Sequence, residues 1–290
     1  MDPNAADSPT CVVCGPTSVS PVAMHHEFHI VRCNHCGLVY VDGCGSLDGL
    51  AKFYGSPYFL NREDDVRGYW DYVGDQELHV RNALSLLRVI ERVCDGAERR
   101  LLDVGCAHGF FLDTARRRGW RVAGVDISPE AVDFARERLQ LEVYQGTLEE
   151  APLKPESFDV VCMNGSIEHL RDPMNAVRTA VRLLRDRGLM VVTTIDIEGL
   201  LGFYSWKPPE HLFYFSFRTL SRLLEEAGLS VESKATSWAH FRVADVAARL
   251  WAYWGLSQQG RIVKALEATG MHRGWVKIPT NEIRVIARKR

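Results

Sequence analysis

No stretch of this 290-residue chain stays apolar for anything near the roughly 20 residues that a bilayer-spanning helix needs, so a membrane role is not expected. An excess of positive charge is missing too: 35 Lys and Arg stand against 37 Asp and Glu, for a formal net charge of −2. That balance gives no general attraction to polyanions, and nucleic acid is not the expected partner. The opening residues, Met1-Asp-Pro-Asn-Ala-Ala-Asp7, are acidic and polar rather than basic and apolar, and the chain reads as cytoplasmic. At 46% hydrophobic residues it has enough apolar material for one large cored domain and a small one.

Eight cysteines are present, and four fall as Cys11-x-x-Cys14 and Cys33-x-x-Cys36, eighteen residues apart. This is the spacing of a zinc ribbon, with all four thiolates around a tetrahedral ion. Gly15 and Gly37 follow the second cysteine of each pair and let the backbone curl so that amides face the thiolates. A redox dithiol pair or an iron–sulfur site is the competing reading. A closed four-thiolate site has no position for substrate; it would hold together a segment too small to fold on its own core. Arg32 is the only Arg or Lys between Cys11 and Cys36, which argues against a phosphate-gripping face. Cys44, Cys94 and Cys162 read as small apolar residues, as does the Cys106 side chain.

The most informative stretch is Leu101-Leu-Asp-Val-Gly-Cys-Ala-His-Gly109, followed by an amphipathic segment and then Val122-Ala-Gly-Val-Asp126. An apolar strand, a glycine-bearing turn, a helix and a second strand ending in a carboxylate make a nucleotide-binding βαβ unit. Gly105 and Gly109 permit a tight turn and a close approach of backbone to ligand, and Asp126 can accept hydrogen bonds from both hydroxyls of a ribose. Because Ala107-His108-Gly109 does not complete Gly-x-Gly-x-x-Gly, a single adenosine-like ligand is favoured over a dinucleotide.

The expected organisation is a zinc ribbon over 1–45, an aromatic and then helical cap segment over 46–95, and an α/β domain over 96–290. The cap carries Phe53, Tyr54, Tyr58, Phe59, Tyr69, Trp70 and Tyr72 before Leu84, Leu87 and Ile90 mark a helix; it either covers the ligand or packs the ribbon on the main domain. Strand and helix patterns then alternate, with Ser128-Pro129, Asp172-Pro173 and Ser216 as helix starts, which implies a parallel sheet covered on both faces. A helical insertion is expected at about 239–278, lying over the substrate mouth or serving as extra core or a dimer surface.

These motifs, with Phe158-Asp-Val-Val-Cys-Met-Asn164, Ile167-Glu-His-Leu-Arg-Asp-Pro173 and Glu210-His-Leu-Phe-Tyr-Phe-Ser216, resemble the class I S-adenosylmethionine-dependent methyltransferases. The resemblance implies a Rossmann-like, doubly wound, seven-stranded sheet with a C-terminal antiparallel strand, beside the small four-cysteine ribbon. It implies that Asp103 and the backbone of Gly105 and Cys106 face the methionine moiety, with Gly109 in the turn and Asn164 after the strand expected at 158–163. Asp126 would hold the ribose, Ile127 one face of adenine, and Thr147 and Leu148 the other. Asp159, at the far end of its strand, is structural.

Two histidines, His169 and His211, follow the strands expected at 158–163 and 188–194, where a neutral imidazole could take a proton from an attacking hydroxyl. Their spacing resembles the divalent-metal site of the ubiquinone-pathway O-methyltransferases and the small-RNA 2′-O-methyltransferases, built on Glu-x-x-Glu-His and a later His. Here Glu168, His169 and His211 are present but the first acid is Gly165, a poor set for magnesium, so magnesium-assisted catalysis stands as the alternative to a metal-free histidine base. The expected function is S-adenosylmethionine-dependent O-methylation of a small-molecule acceptor, a secondary metabolite or sugar, with a histidine base and a structural zinc. Carbon or nitrogen methylation, and an RNA- or protein-directed role for the ribbon, are the alternatives.

Overall fold

The computed structural model describes residues 10–44, 75–95, 98–199, 206–243, 246 and 274–290. The aromatic part of the cap, Phe53 to Tyr72, lies outside the described residues.

The central sheet has seven strands: β6 (Arg100–Val104), β7 (Arg121–Asp126), β8 (Val143–Gln145), β9 (Phe158–Asn164), β10 (Leu184–Ile195), β12 (Leu229–Arg242) and β13 (Trp275–Lys289). Their spatial order is β12-β13-β10-β9-β6-β7-β8. The strands from β10 to β8 pair in parallel, and β13 runs antiparallel between β10 and β12. The sheet therefore has the expected class, a Rossmann-like mixed sheet with an antiparallel strand near its C-terminal edge.

Strand alternation divides the core. Leu101, Val160, Cys162, Val191 and Ile286 face one layer, with Leu87 and Ile90 of α1 (Gln76–Val93) and Leu112 of α2 (Phe110–Arg117). Leu102, Val161, Met163, Val192 and Val285 face the other, with Val177 and Ala180 of α4 (Pro173–Leu183) and Leu220 and Leu224 of α5 (Phe217–Glu226). Local chemistry sets the helix starts. Ser128 accepts from Ala131 N–H ahead of Pro129, which opens α3 (Pro129–Leu139); Asp172 accepts from Asn175 N–H ahead of Pro173. Ser216 and Thr219 form a reciprocal capping box at α5. Asp159 accepts from Arg100 N–H at 2.8 Å and faces Arg185, at the end of the sheet away from the loops.

The N-terminal segment contains the small hairpin β1 (Thr10–Cys11) and β2 (Gly15–Pro16), then β3 (Val19–His25), β4 (Phe28–Cys33) and β5 (Val39–Val41). Its main sheet is completed from far along the chain: β11 (Phe213–Tyr214) pairs antiparallel with β5, giving the order β11-β5-β4-β3. Ile30, Leu38, Tyr40, Phe213 and Phe215 share one buried cluster with the α4 and α5 face of the central sheet. A Cβ on Gly37, whose φ is +83°, would run into the Arg218 guanidinium, so the ribbon is seated directly on α5.

The insertion expected at 239–278 is corrected at both edges. Ala239, His240, Phe241 and Arg242 are strand and pair with Ile278, Lys277, Val276 and Trp275. The β12 and β13 hairpin thus projects beyond the sheet, closed by Val243 N–H to Gly274 O at 3.0 Å. Residues 247–273 lie outside the described residues.

Candidate active site

The glycine loop turns between β6 and α2 as the sequence implies, and its close approaches are visible. Gly105 has φ +76°, and a Cβ there would sit 2.6 Å from Ser166 Cβ. Ser166 is buried and its hydroxyl donates to Val104 O at 2.6 Å, so it forms a fixed wall behind the loop. Gly109 has φ +80°, and its missing Cβ leaves room for Leu141. Ala107, where related loops carry glycine, also adopts a left-handed φ of +46°. For an L-residue that conformation costs about 1–2 kcal/mol.

The predicted ligand residues gather around this loop with unequal roles. Asp103 is buried, and Asn164 donates to it from Nδ2 at 3.4 Å. Burial, with Asp126 close by, pushes the Asp103 carboxyl well above the usual range. Asp126 is an anchor for the loop: Oδ2 accepts from Ala107 N–H at 2.7 Å and Oδ1 from Ser128 N–H at 2.9 Å. Each carboxylate oxygen keeps a second acceptor site. The amides of Gly105 and Cys106 both donate to Val125 O, so neither N–H is turned outward. Ile127, directly after Asp126, is 67% exposed, and such an apolar side chain at a loop mouth can lie flat against a ring. Thr147 gives its N–H and hydroxyl to Glu150, at 3.0 and 3.1 Å, while Leu148 is buried.

His169 and His211 come together across 41 residues of sequence. Their rings lie edge to face with centroids 4.8 Å apart. His169 closes a single 3-10 turn, Ile167–His169, and its Nδ1 lies 2.6 Å from Glu210 O. A carbonyl only accepts, so Nδ1 carries the proton and Nε2 of the neutral ring keeps its lone pair. His211 is buried and is held by its own N–H to Lys207 O at 2.8 Å; the next residue, Leu212, donates to Glu168 O at 2.8 Å. Donor atoms of Glu168, His169 and His211 all lie within 4.8 Å of one another. Burial pushes the Glu168 carboxyl up, with the neighbouring His169 opposing it. One carboxylate and two imidazoles do not match a hard-cation site, and Gly165 adds no ligand, so this set does not fit magnesium.

The four ribbon thiols likewise lie within 4.8 Å of one another, with Cys11 and Cys36 sulfurs 3.6 Å apart. Two thiolates each about 2.3 Å from a tetrahedral zinc are about 3.8 Å apart, so the set fits that ion. Amides of Cys36 and Leu38 point at the sulfurs of Cys33 and Cys36, as a knuckle requires. Cys36 is held down to about 5, first by its hydrogen bond with Cys11.

Two histidines stand out that spacing alone did not single out. His79 of α1 stacks on Phe110, with centroids 5.7 Å apart, and His108 of the glycine loop meets Phe134 edge-on at 5.0 Å. Burial lowers the pKa of both. They fasten α1 over the loop. The α1 amphipathicity was a signal for its packing, but nothing in the spacing of His79 pointed to its partner.

Comparison with known proteins gives a consistent picture. A family model described as a methyltransferase domain matches residues 77–234. The ubiquinone biosynthesis O-methyltransferase of Klebsiella pneumoniae is 33% identical over 138 residues, 45% of this chain and 57% of that protein. That of Vibrio cholerae is 30% identical over 141 residues, 46% of this chain and 58% of that protein. The chain thus spans less than two thirds of the length of these relatives. In fold it is similar to a SAM-dependent methyltransferase from Thermotoga maritima, with a TM-score of 0.51 at 23% identity, over 76% of this chain and 95% of the other. A geranyl diphosphate C-methyltransferase from Streptomyces coelicolor gives 0.51 at 18% identity, over 78% and 85%.

Proposed function

Since the chain belongs to the methyltransferase-domain family and is a class I S-adenosylmethionine-dependent methyltransferase, we propose that it methylates an oxygen of a small-molecule acceptor, with His169 as general base and His211 as its partner. The ubiquinone-pathway names of the relatives support a hydroxylated acceptor. The observation that carries the reading is the tautomer of His169: Glu210 O holds the proton on Nδ1, so the lone pair of Nε2 is available.

When bound, S-adenosylmethionine supplies a methyl group on a positively charged sulfur, already activated for displacement. Asp103 and Asp126, with Asn164, would hold its polar ends at the carboxyl edge of the sheet, and Ile127 and Leu148 the adenine. His169 takes the hydroxyl proton on Nε2 as the acceptor oxygen forms its bond to the methyl carbon. The carbon–sulfur bond breaks and its electron pair stays on sulfur. His211, buried against His169, fixes the ring plane and shields the proton transfer from water. Zinc on Cys11, Cys14, Cys33 and Cys36 would close the ribbon, whose β5 pairs with β11 and so keeps the residue immediately before it, Leu212, next to His211.

Methyl transfer to a panel of phenolic and sugar hydroxyls tests the reading. His169→Ala is expected to lower kcat by about 10²–10⁴-fold, with S-adenosylhomocysteine binding retained, and His211→Ala to act in the same direction. Near-normal kcat in both variants, or a methyl group found on carbon or nitrogen of the product, would overturn it. No added magnesium is expected to be needed.

A further inference from the structure

Toward the carboxyl edge of the central sheet, the apolar face covered by α1 gives way to polar side chains. Asp103 lies on this face of β6, and Asn164, which donates to it, on β9. Thr193 of β10 pairs with Asn164 on one side and with Arg284 of β13 on the other. Paired residues share a face, so Asn164, Thr193 and Arg284 form one row above the apolar Cys162, Val191 and Ile286.

Arg284 is half-buried and makes no hydrogen bond or ion pair among the described residues; its Nε is buried without a partner. Desolvation lowers its pKa, with no acid offsetting it. Glu282, two residues earlier on the strand, forms no ion pair with it. One other polar atom of the row is in the same condition: Asn164 Oδ1, at its far end. A donor shut off from water without a partner is uncommon in a fold, and one that persists on a charged group calls for an explanation. Strands lie about 4.8 Å apart, so Arg284 stands about 10 Å from Asn164 across the sheet, on the side away from the glycine loop.

We propose that Arg284 is the acceptor-binding residue of this enzyme, pairing with an anionic oxygen group, a carboxylate or phosphate, carried by the molecule to be methylated. The inference rests on the reading of Asp103 and Asn164 as the methyl-donor end of the site. A guanidinium with unused donors is matched to two oxygens of one anion. An acceptor held there extends back over Thr193 toward Asn164, which places its other end at the donor.

The test uses the full chain with S-adenosylhomocysteine bound, titrated with benzoate, inorganic phosphate and, as neutral control, benzamide. Benzoate or phosphate is expected to bind more tightly than benzamide, and which of the two does so separates carboxylate from phosphate. Loss of charge-assisted hydrogen bonds should weaken the anion by about 10–100-fold in Arg284→Gln and Arg284→Met, and less in Arg284→Lys. Anion binding unchanged in Arg284→Gln, or no anion binding by the wild type, would overturn the proposal. Homocysteine-product binding should be equal in all the variants. Its absence in the wild type would strike the donor-pocket reading instead, and the anion titrations on the free chain would still decide this one.

Discussion

Gly105→Ala separates the two demands made on the glycine loop, its backbone conformation and its closeness to Ser166. At φ +76° an alanine costs about 1–2 kcal/mol from conformation alone. The new Cβ would then lie 2.6 Å from Ser166 Cβ. Ser166 cannot turn away cheaply, because its hydroxyl is bound to Val104 O and the residue is buried. Displacing it should add about 1–3 kcal/mol of overpacking. The sum, about 2–5 kcal/mol, corresponds to a fall in Tm of about 4–20 °C at roughly 2–4 °C per kcal/mol for a domain of this size class. Gly165→Ala is the control. It has a similar φ of +60° but nothing within 4 Å of the built Cβ, so only the conformational part should appear. Differential scanning fluorimetry reads stability, and calorimetry with S-adenosylhomocysteine reads the loop as a ligand surface. Equal losses for the two variants, with equal affinity for the ligand, would refute the tight packing of the loop on Ser166.

Two further outcomes follow from the site. Replacing Asp103 by Asn should stabilise the ligand-free chain at alkaline pH while weakening S-adenosylhomocysteine. The folded-state pKa of Asp103 is raised, so its contribution to stability is present at low pH and is lost as pH rises through that pKa; a Tm–pH profile no flatter in Asp103→Asn would contradict this. Removing zinc with a chelator, or making Cys33→Ser, should unprotect the amides of Val41 and Tyr214 in hydrogen exchange, because β5 and β11 share one sheet and these amides lie in its hydrogen-bonded pairs. Amides of β6 and β7 should exchange as before; an unchanged pattern at Tyr214 would show that the ribbon does not hold β11.

The parts of this fold legible in the sequence are those decided by a few adjacent residues. The turn at Gly105 and Gly109, the caps at Ser128, Asp172 and Ser216, and the alternation of β6, β7 and β9 all depend on local conformation and on apolar period. The pairing of β11 with β5 was not legible, because two residues carry no periodicity and their partner lies more than 170 residues away. The length of the β12 and β13 hairpin was hidden by its shifts of register near Val231 and Thr236, which break the alternation that marks a strand. The candidate site divides the same way. His169 and His211 could be named from their places after strands, whereas the row from Asn164 to Arg284 exists only through register between three strands. The use of Asp126 to anchor Ala107 and Ser128 was also invisible, since a ribose-binding acid and a loop-binding acid look alike in sequence.

The reading of the edge of this sheet as a methyl-donor pocket opening on a histidine base is tested most directly by nuclear magnetic resonance. The chain would be saturated with S-adenosylmethionine labelled with carbon-13 at the sulfonium methyl, and its cross-relaxation to protein protons recorded. Cross-peaks are expected from the methyl to the ring protons of His169, and from the adenine protons to the methyl groups of Ile127 and the backbone amide of Leu148. A bound donor whose methyl meets neither His169 nor His211, or whose adenine lies away from Ile127, would contradict the assignment.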